Sequence, residues 1–136
     1  MNTVEEHTIG HKLMPPLSAE APLRFWDRSK HLSWLTSTAV ARRIAQRPEL
    51  LDAVRRRLDE WRGDPRNGLT VRVWDDLLAQ GPEAVARRIA ATDEAGELAR
   101  DTMPPGIALD EAEIETCVAE RRRQAAEGLV VYGCEA

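Results

Sequence analysis

The sequence has no apolar run near the roughly 18 residues that a membrane span needs, and no signal-peptide pattern stands at its start. Its two cysteines, Cys117 and Cys134, match no metal-binding spacing. Two thiols alone make no disulfide framework, so both are expected to be free and the chain cytoplasmic. A Gly-rich phosphate loop, a nucleophile elbow and a metal-protease helix are all missing. Histidine is scarce too. His7 and His11 stand four residues apart and could share a metal on a helix, but Gly10 and Pro15-Pro16 oppose a rigid helix and no third ligand is evident. His31 has no nucleophile near it in sequence. These gaps remove the common routes to catalysis, and the expectation is a protein without enzymatic activity, cofactor or metal.

What is present is helical grammar. With 136 residues, 43% hydrophobic and 31% charged, the chain suits one globular domain with a modest core. The stretch Ala39–Trp61 is the clearest. Pro48 suits a first helical turn, and Leu51, Val54, Leu58 and Trp61 follow at spacings of three, four and three, one stripe of a helix. Gly63 and Asp64-Pro65 mark its stop, and Arg55, Arg56, Asp59 and Glu60 lie on the wet face.

Residues 1–17 show no periodicity and read as a flexible arm. A helix is predicted from about Leu23 to Gln46, with a break near Asp27–Ser29 and an apolar seam of Leu32, Leu35 and Ala39. Trp34 falls off that seam and suits a helix–helix boundary. Thr70 can cap a helix to Ala79 whose inner face holds Trp74, Leu77 and Leu78. Gly81-Pro82 restarts the chain into a helix with Val85 and Ile89 inward. Thr92 is the expected cap of a short helix to Asp101 burying Ala95, Leu98 and Ala99. The heptapeptide AVARRIA occurs at 39–45 and again at 84–90. Two amphipathic helices of similar composition explain it better than a repeat architecture.

The loop Thr102–Ala108 is stiffened by Pro104, Pro105 and Gly106, and it reads as a rigid connector pinned to the core by Met103 and Ile107 or, alternatively, as a preformed contact loop. Asp110 with Glu113 then forms a capping-box pattern, and Leu109 with Ile114 a hydrophobic staple, opening a helix to about Glu127. Its apolar stripe of Ile114, Cys117, Val118 and Ala125 is thin. Leu129–Tyr132 is strand-like and must dock or pair. The reading is an all-α, single-domain bundle of five to seven helices. The folded part spans residues 18–128, and an extended tail follows from 129 to 136.

Charge is uneven. Residues 22–66 hold 11 Arg and Lys against 6 Asp and Glu, whereas residues 67–120 hold 4 against 12. Such polarity fits two solvated faces, a basic half packed on an acidic half, or an oppositely charged partner. The triplets Arg55–Arg57 and Arg121–Arg123 fan round their helices among acidic neighbours, so nucleic-acid binding by this chain alone is not expected.

From Arg28 to about Glu111 the order of features resembles a helical region of bacterial antitoxin-type regulators. The residues that carry the resemblance begin with Arg28-Ser29 near a helix start, the Arg47-Pro48-Glu49 joint and Asp59-Glu60-Trp61-Arg62. Trp74-Asp75-Asp76-Leu77-Leu78, Gly81-Pro82-Glu83 and the proline loop complete the order. Two features depart from the pattern. The family's usual N-terminal helix-turn-helix domain is replaced here by the short arm, and Met103-Pro104-Pro105-Gly106 stands where a Ser-Pro-Phe-Ala-Gly-like segment is usual.

The resemblance implies a module that neutralises a partner enzyme by stoichiometric complex formation, the partner being a nucleotide-handling toxin encoded next to it. A homo-oligomer remains compatible. A small transcriptional regulator or nucleic-acid-associated helical protein is the alternative. The expected contact is the stiff loop and the helix start after it. Met103, Pro104, Pro105 and Ile107 would serve as apolar anchors, and Asp110, Glu111, Glu113 and Glu115 as an acidic rim suited to a basic cleft.

Overall fold

The computed structural model describes residues 13–133, so the His7–His11 pair, Cys134 and most of the expected arm lie outside the described residues. Among the described residues are six helices and one two-stranded sheet. They run β1 (Leu23–Phe25), α1 (Arg28–Gln46), α2 (Leu51–Trp61), α3 (Gly68–Ala79), α4 (Pro82–Ala90), α5 (Glu94–Asp101), α6 (Glu111–Ala126) and β2 (Val130–Tyr132). The all-α expectation holds, with the sheet as a small clasp.

The first long helix is shorter than predicted. Leu23–Phe25 is not its first turn but a strand, paired in parallel with Val130–Tyr132 in the register Leu23 with Val130 and Phe25 with Tyr132. No local signal marks LRF as extended; the partner strand lies more than a hundred residues away. The helix starts at Arg28 because Asp27 caps it, its carboxylate accepting from the Lys30 amide at 2.9 Å.

Helix α1 is buried on more than one side, including His31, Trp34, Leu35, Thr38, Val40, Ala41 and Ile44. It packs most extensively on α4. The two AVARRIA segments meet there. Val40, Ala41 and Ile44 from one and Val85, Ala86 and Ile89 from the other share one core. Trp34, off the predicted seam, is fully buried, and its indole N–H donates to the Ala90 carbonyl at 2.8 Å. That bond satisfies one of the orphan carbonyls at the end of α4. Arg100 takes two more, donating to the carbonyls of Ile89 and Ala91. Burial pushes the Arg100 guanidinium below its ordinary pKa, although Glu97, Asp101 and Asp93 oppose this.

The α4–α5 joint is tight. A Cβ at Gly96 would lie 2.3 Å from the Ala91 carbonyl oxygen, so only glycine lets these backbones meet. The cap of α5 is Asp93 rather than Thr92; its carboxylate accepts from the Gly96 amide at 2.8 Å. Only Ala99 of the three predicted core residues of α5 is buried. Ala95 is exposed and Leu98 is 41% exposed. Likewise Thr70 lies inside α3 and does not cap it; the cap position is Asn67.

The core has two parts. The larger joins Val40, Ala41 and Ile44 to Leu51, Val54 and Leu58 of α2, Trp74 and Leu77 of α3, the inner face of α4, and Ala99. Trp61 completes the sequence stripe of α2 but is only half-buried, because Gly63, at φ 97°, turns the chain away just after it. The smaller part gathers Phe25, Trp34, Leu35, Cys117 and Val130, with Met14, Leu17, Leu23, Leu32, Ala39 and Tyr132 around it.

Leu13 is 5% exposed within the larger core, and Met14 and Leu17 pack on the smaller one. The folded part therefore begins before residue 18. Apolar side chains split by two prolines have no period, so nothing local signals this docking.

The uneven charge is used internally. Lys30 meets Asp101 at 2.9 Å, Arg43 pairs with Glu113, and Arg62 forks onto Asp75 at 2.6 and 3.0 Å. Each pair joins the basic first half to the acidic second. Exposed pairs of this kind add little stability singly, about 0–1 kcal/mol. No described helix is long and apolar enough to cross a membrane.

Candidate functional site

The proline loop is built to be held rather than to project. Met103, Ile107 and Leu109 are half-buried against the larger core, and Pro104 is fully buried. A Cβ at Gly106 would lie 3.1 Å from the backbone of Ala53 and Val54, so the loop runs close along α2. Met103, Pro104 and Ile107, expected as partner anchors, thus turn inward. The reason is geometric: two prolines and a glycine fix the crossing from α5 to α6, and apolar residues on that crossing find the core beneath it. Pro105 is exposed at the crest.

The acidic start of α6 divides in the same way. Asp110 accepts from the Glu113 amide at 2.8 Å, and Glu113 accepts from the Asp110 amide at 3.0 Å, a complete capping box. Glu113 also binds Arg43, whose other nitrogen donates to the Ala108 carbonyl at 2.9 Å. Leu109 packs on the core while Ile114 is left 42% exposed, so the cap rather than a staple carries this start. Glu111 and Glu115 face solvent. Of the eight candidate residues, Pro105, Glu111 and Glu115 are the ones exposed without a capping or core role.

His31 sits in the smaller core, fully buried. Its ring stacks on Phe25 with centroids 5.0 Å apart and lies 6.2 Å from Trp34. Both nitrogens are bonded, Nδ1 to the Tyr132 hydroxyl and Nε2 to Gln124 Oε1, each at 2.8 Å. The proton positions follow from chemistry. Gln124 Nε2 donates to Glu120 at 2.9 Å, and an ionised carboxylate only accepts, so the Gln124 oxygen must face His31. Nε2 of His31 then carries the proton, and the Tyr132 hydroxyl donates to Nδ1. The result is a directed chain from β2 through α1 to Glu120 of α6. Desolvation pushes the His31 pKa below 6.5, against the Gln124 bond, which raises it; Arg121 lowers it further and Glu120 raises it. Sequence reading found no partners for this histidine, because they come from positions 93 and 101 residues away.

Cys117 lies at the floor of a groove of about 400 Å³ between α1 and α6, lined by Met14, Leu35, Ala39, Arg42, Thr116 and Glu120 among others. Burial pushes its thiol above the ordinary range, which favours the unreactive protonated form. Among the described residues no three His, Cys, Asp or Glu side chains gather as metal ligands would.

An open apolar groove lies between α3 and α5. Leu69, Val73 and Leu77 from α3 face Ala95, Leu98 and Ala99 from α5 across a groove of about 430 Å³, with Arg72, Asp76 and Arg88 around it. Leu69 is 51% exposed and Leu98 41%. The sequence had placed Ala95 and Leu98 in the core, and it gave Leu69 no role. A helical period can identify an apolar face but not whether another element of the same chain covers it.

The arginine triplets are largely occupied. Arg55 holds Asp52, Arg57 holds Glu60, and Arg123 holds Glu120 and Glu127. Arg121 donates to the Arg28 carbonyl at 3.3 Å. Compared with family models, with curated proteins and with solved structures, the chain finds no match.

Proposed function

We propose that this chain is a protein-binding module without catalysis, one that neutralises a partner enzyme by stoichiometric complex formation. The resemblance of residues 28–111 to antitoxin-type regulators suggests the kind of partner, a nucleotide-handling toxin encoded beside it. The observation that carries the reading is the groove between α3 and α5, where Leu69 and Leu98 remain 51% and 41% exposed. Large aliphatic side chains gain about 25 cal/mol for each Å² of apolar surface removed from water. A partner seated there would collect that gain. The groove is the contact surface, since Met103 and Ile107 serve the core; exposed Glu111 and Glu115, beside Pro105, form a second contact.

Co-expression with the neighbouring gene product tests this. The expected outcome is a complex of fixed stoichiometry on gel filtration and loss of the partner's activity within it. A neighbouring product that neither co-elutes with the chain nor changes activity in its presence defeats the reading. Salt-sensitive binding to duplex DNA by the isolated chain would favour the transcriptional-regulator alternative.

A further inference from the structure

We infer that the groove between α3 and α5 receives an amphipathic helix of the partner with carboxylates along its polar flank. This rests on the protein-binding reading above and names what that surface takes. Leu69, Val73 and Leu77 stand at i, i+4 and i+8, a row about 12 Å long at helical rise. Leu77 and Ala99, 2% and 1% exposed, form the floor, while Leu69 and Leu98 stand up as rims. Exposed Ala95 adds little bulk to the α5 wall, which keeps the trough open.

A helix suits this trough better than an extended peptide. Both walls are helices, whose backbone groups are already bonded within themselves, so they offer no edge to a strand. An incoming strand would leave its own N–H and C=O groups facing aliphatic side chains. A helix brings its backbone bonds with it and needs only apolar anchors about three, four and seven residues apart.

Charge selects among such helices. Arg72 and Arg88 border the groove, and among the described residues neither guanidinium forms a hydrogen bond or ion pair. Six other surface arginines, Arg55, Arg57, Arg62, Arg66, Arg87 and Arg123, each hold a carboxylate, whereas exposed Arg28, Arg42, Arg56 and Arg122 hold none among the described residues; what sets Arg72 and Arg88 apart is that they flank an apolar trough. The single acidic lining residue, Asp76, accepts from its neighbour Gln80 at 3.3 Å. The groove therefore presents two uncommitted cations beside an apolar trough, complementary to leucines flanked by glutamates.

The probe is a synthetic amphipathic Leu/Ala/Glu peptide of about sixteen residues, long enough to hold some helix. A counterpart carries Lys at every Glu position. Each is titrated into the isotope-labelled full chain and followed by amide NMR. The expected result is shift changes centred on α3 and α5, with the Glu peptide at least tenfold tighter than the Lys peptide. The double variant Arg72→Glu with Arg88→Glu, checked for native helicity and melting temperature, should reverse that preference.

Equal or tighter binding of the Lys peptide, shifts centred elsewhere, or no shifts with the Glu peptide overturns the proposal. So does concentration-dependent self-association through α3 and α5 without peptide, which would make a second copy the occupant. The two readings fail separately. If the neighbouring gene product binds a folded Leu69→Ser, Leu98→Ser variant as well as the native chain, the groove assignment falls and the protein-binding reading stands. If that product does not bind the native chain, the neutralisation reading falls whatever the peptides do.

Discussion

The two parts of the core are held together by different physics. The larger is almost wholly aliphatic, with Trp74 its only aromatic member, and draws on five helices and Leu13. Its stability is a matter of area and packing. The smaller is aromatic and polar: Phe25 and Trp34 each stack on His31, and Tyr132, His31, Gln124 and Glu120 form a directed chain of hydrogen bonds. This second part joins the first described strand to the last. A polar cluster can specify one arrangement, but it makes that arrangement sensitive to protonation and to the loss of any one partner. The contrast teaches that one small domain can leave its bulk indifferent to pH while its terminal clasp is not.

Leu13→Ala gives the largest expected effect. The side chain is buried in the larger core, so the loss should be about 3–5 kcal/mol, the usual range for a leucine cavity. Denaturant melts at two pH values check it, and the loss should be the same at both. A value near zero would mean that residues 13–17 add nothing to the larger core.

Acid should act on the smaller core. His31 is held neutral in the folded chain, its pKa below the ordinary 6.5 because burial disfavours the imidazolium. The unfolded chain binds the proton first as pH falls, so stability is full above about pH 6.5 and declines below it. Glu120, lowered mainly by its bond to Arg123, gives the same sign at lower pH: its contribution is lost as pH falls through the carboxylate range. Thermal melts between about pH 7.5 and 5.5 should show the first decline. His31→Gln should be less stable at the upper end and flatter across the window. An equally steep slope in that variant would assign the titration to another group.

Trp61→Ala gives the smallest effect. A fully buried tryptophan costs about 3–5 kcal/mol, but this one is half-buried and outside the aliphatic cluster, so about half that is expected from denaturant melts. A loss equal to that of Leu13→Ala would place the ring in the core after all.

Much of this molecule was legible along the chain because its signals are local. Asp110 and Glu113 are three residues apart and cap whatever helix they begin, and the structure has that box. Leu51, Val54 and Leu58 fall on one face by helical period alone, and all three are buried. Pro82 opens α4 at the position its missing N–H allows. The uneven charge was compatible with solvated faces, a charged partner or pairing between halves, and Lys30–Asp101, Arg43–Glu113 and Arg62–Asp75 realise the last.

Burial of a particular face was less legible, because it depends on what else arrives there. Leu98 and Ala95 have the spacing of a core face, but no element of the described chain covers them. Met103 and Ile107 suited either a core pin or a partner anchor, and the loop lies on the core. The candidate site suffered most from this: the loop anchors turned inward, and the groove was spelled by residues whose period alone suggested burial.

Interactions within four residues sufficed to place most helices and the Asp110 cap along the chain, though they put the caps of α3 and α5 at Thr70 and Thr92 rather than at Asn67 and Asp93. Tertiary structure decided that Leu23–Phe25 is a strand, that His31 is neutral and bonded at both nitrogens, and that Leu69 and Leu98 share an uncovered groove. Each of those outcomes depends on groups distant in sequence and brought together only by packing, which no local period records.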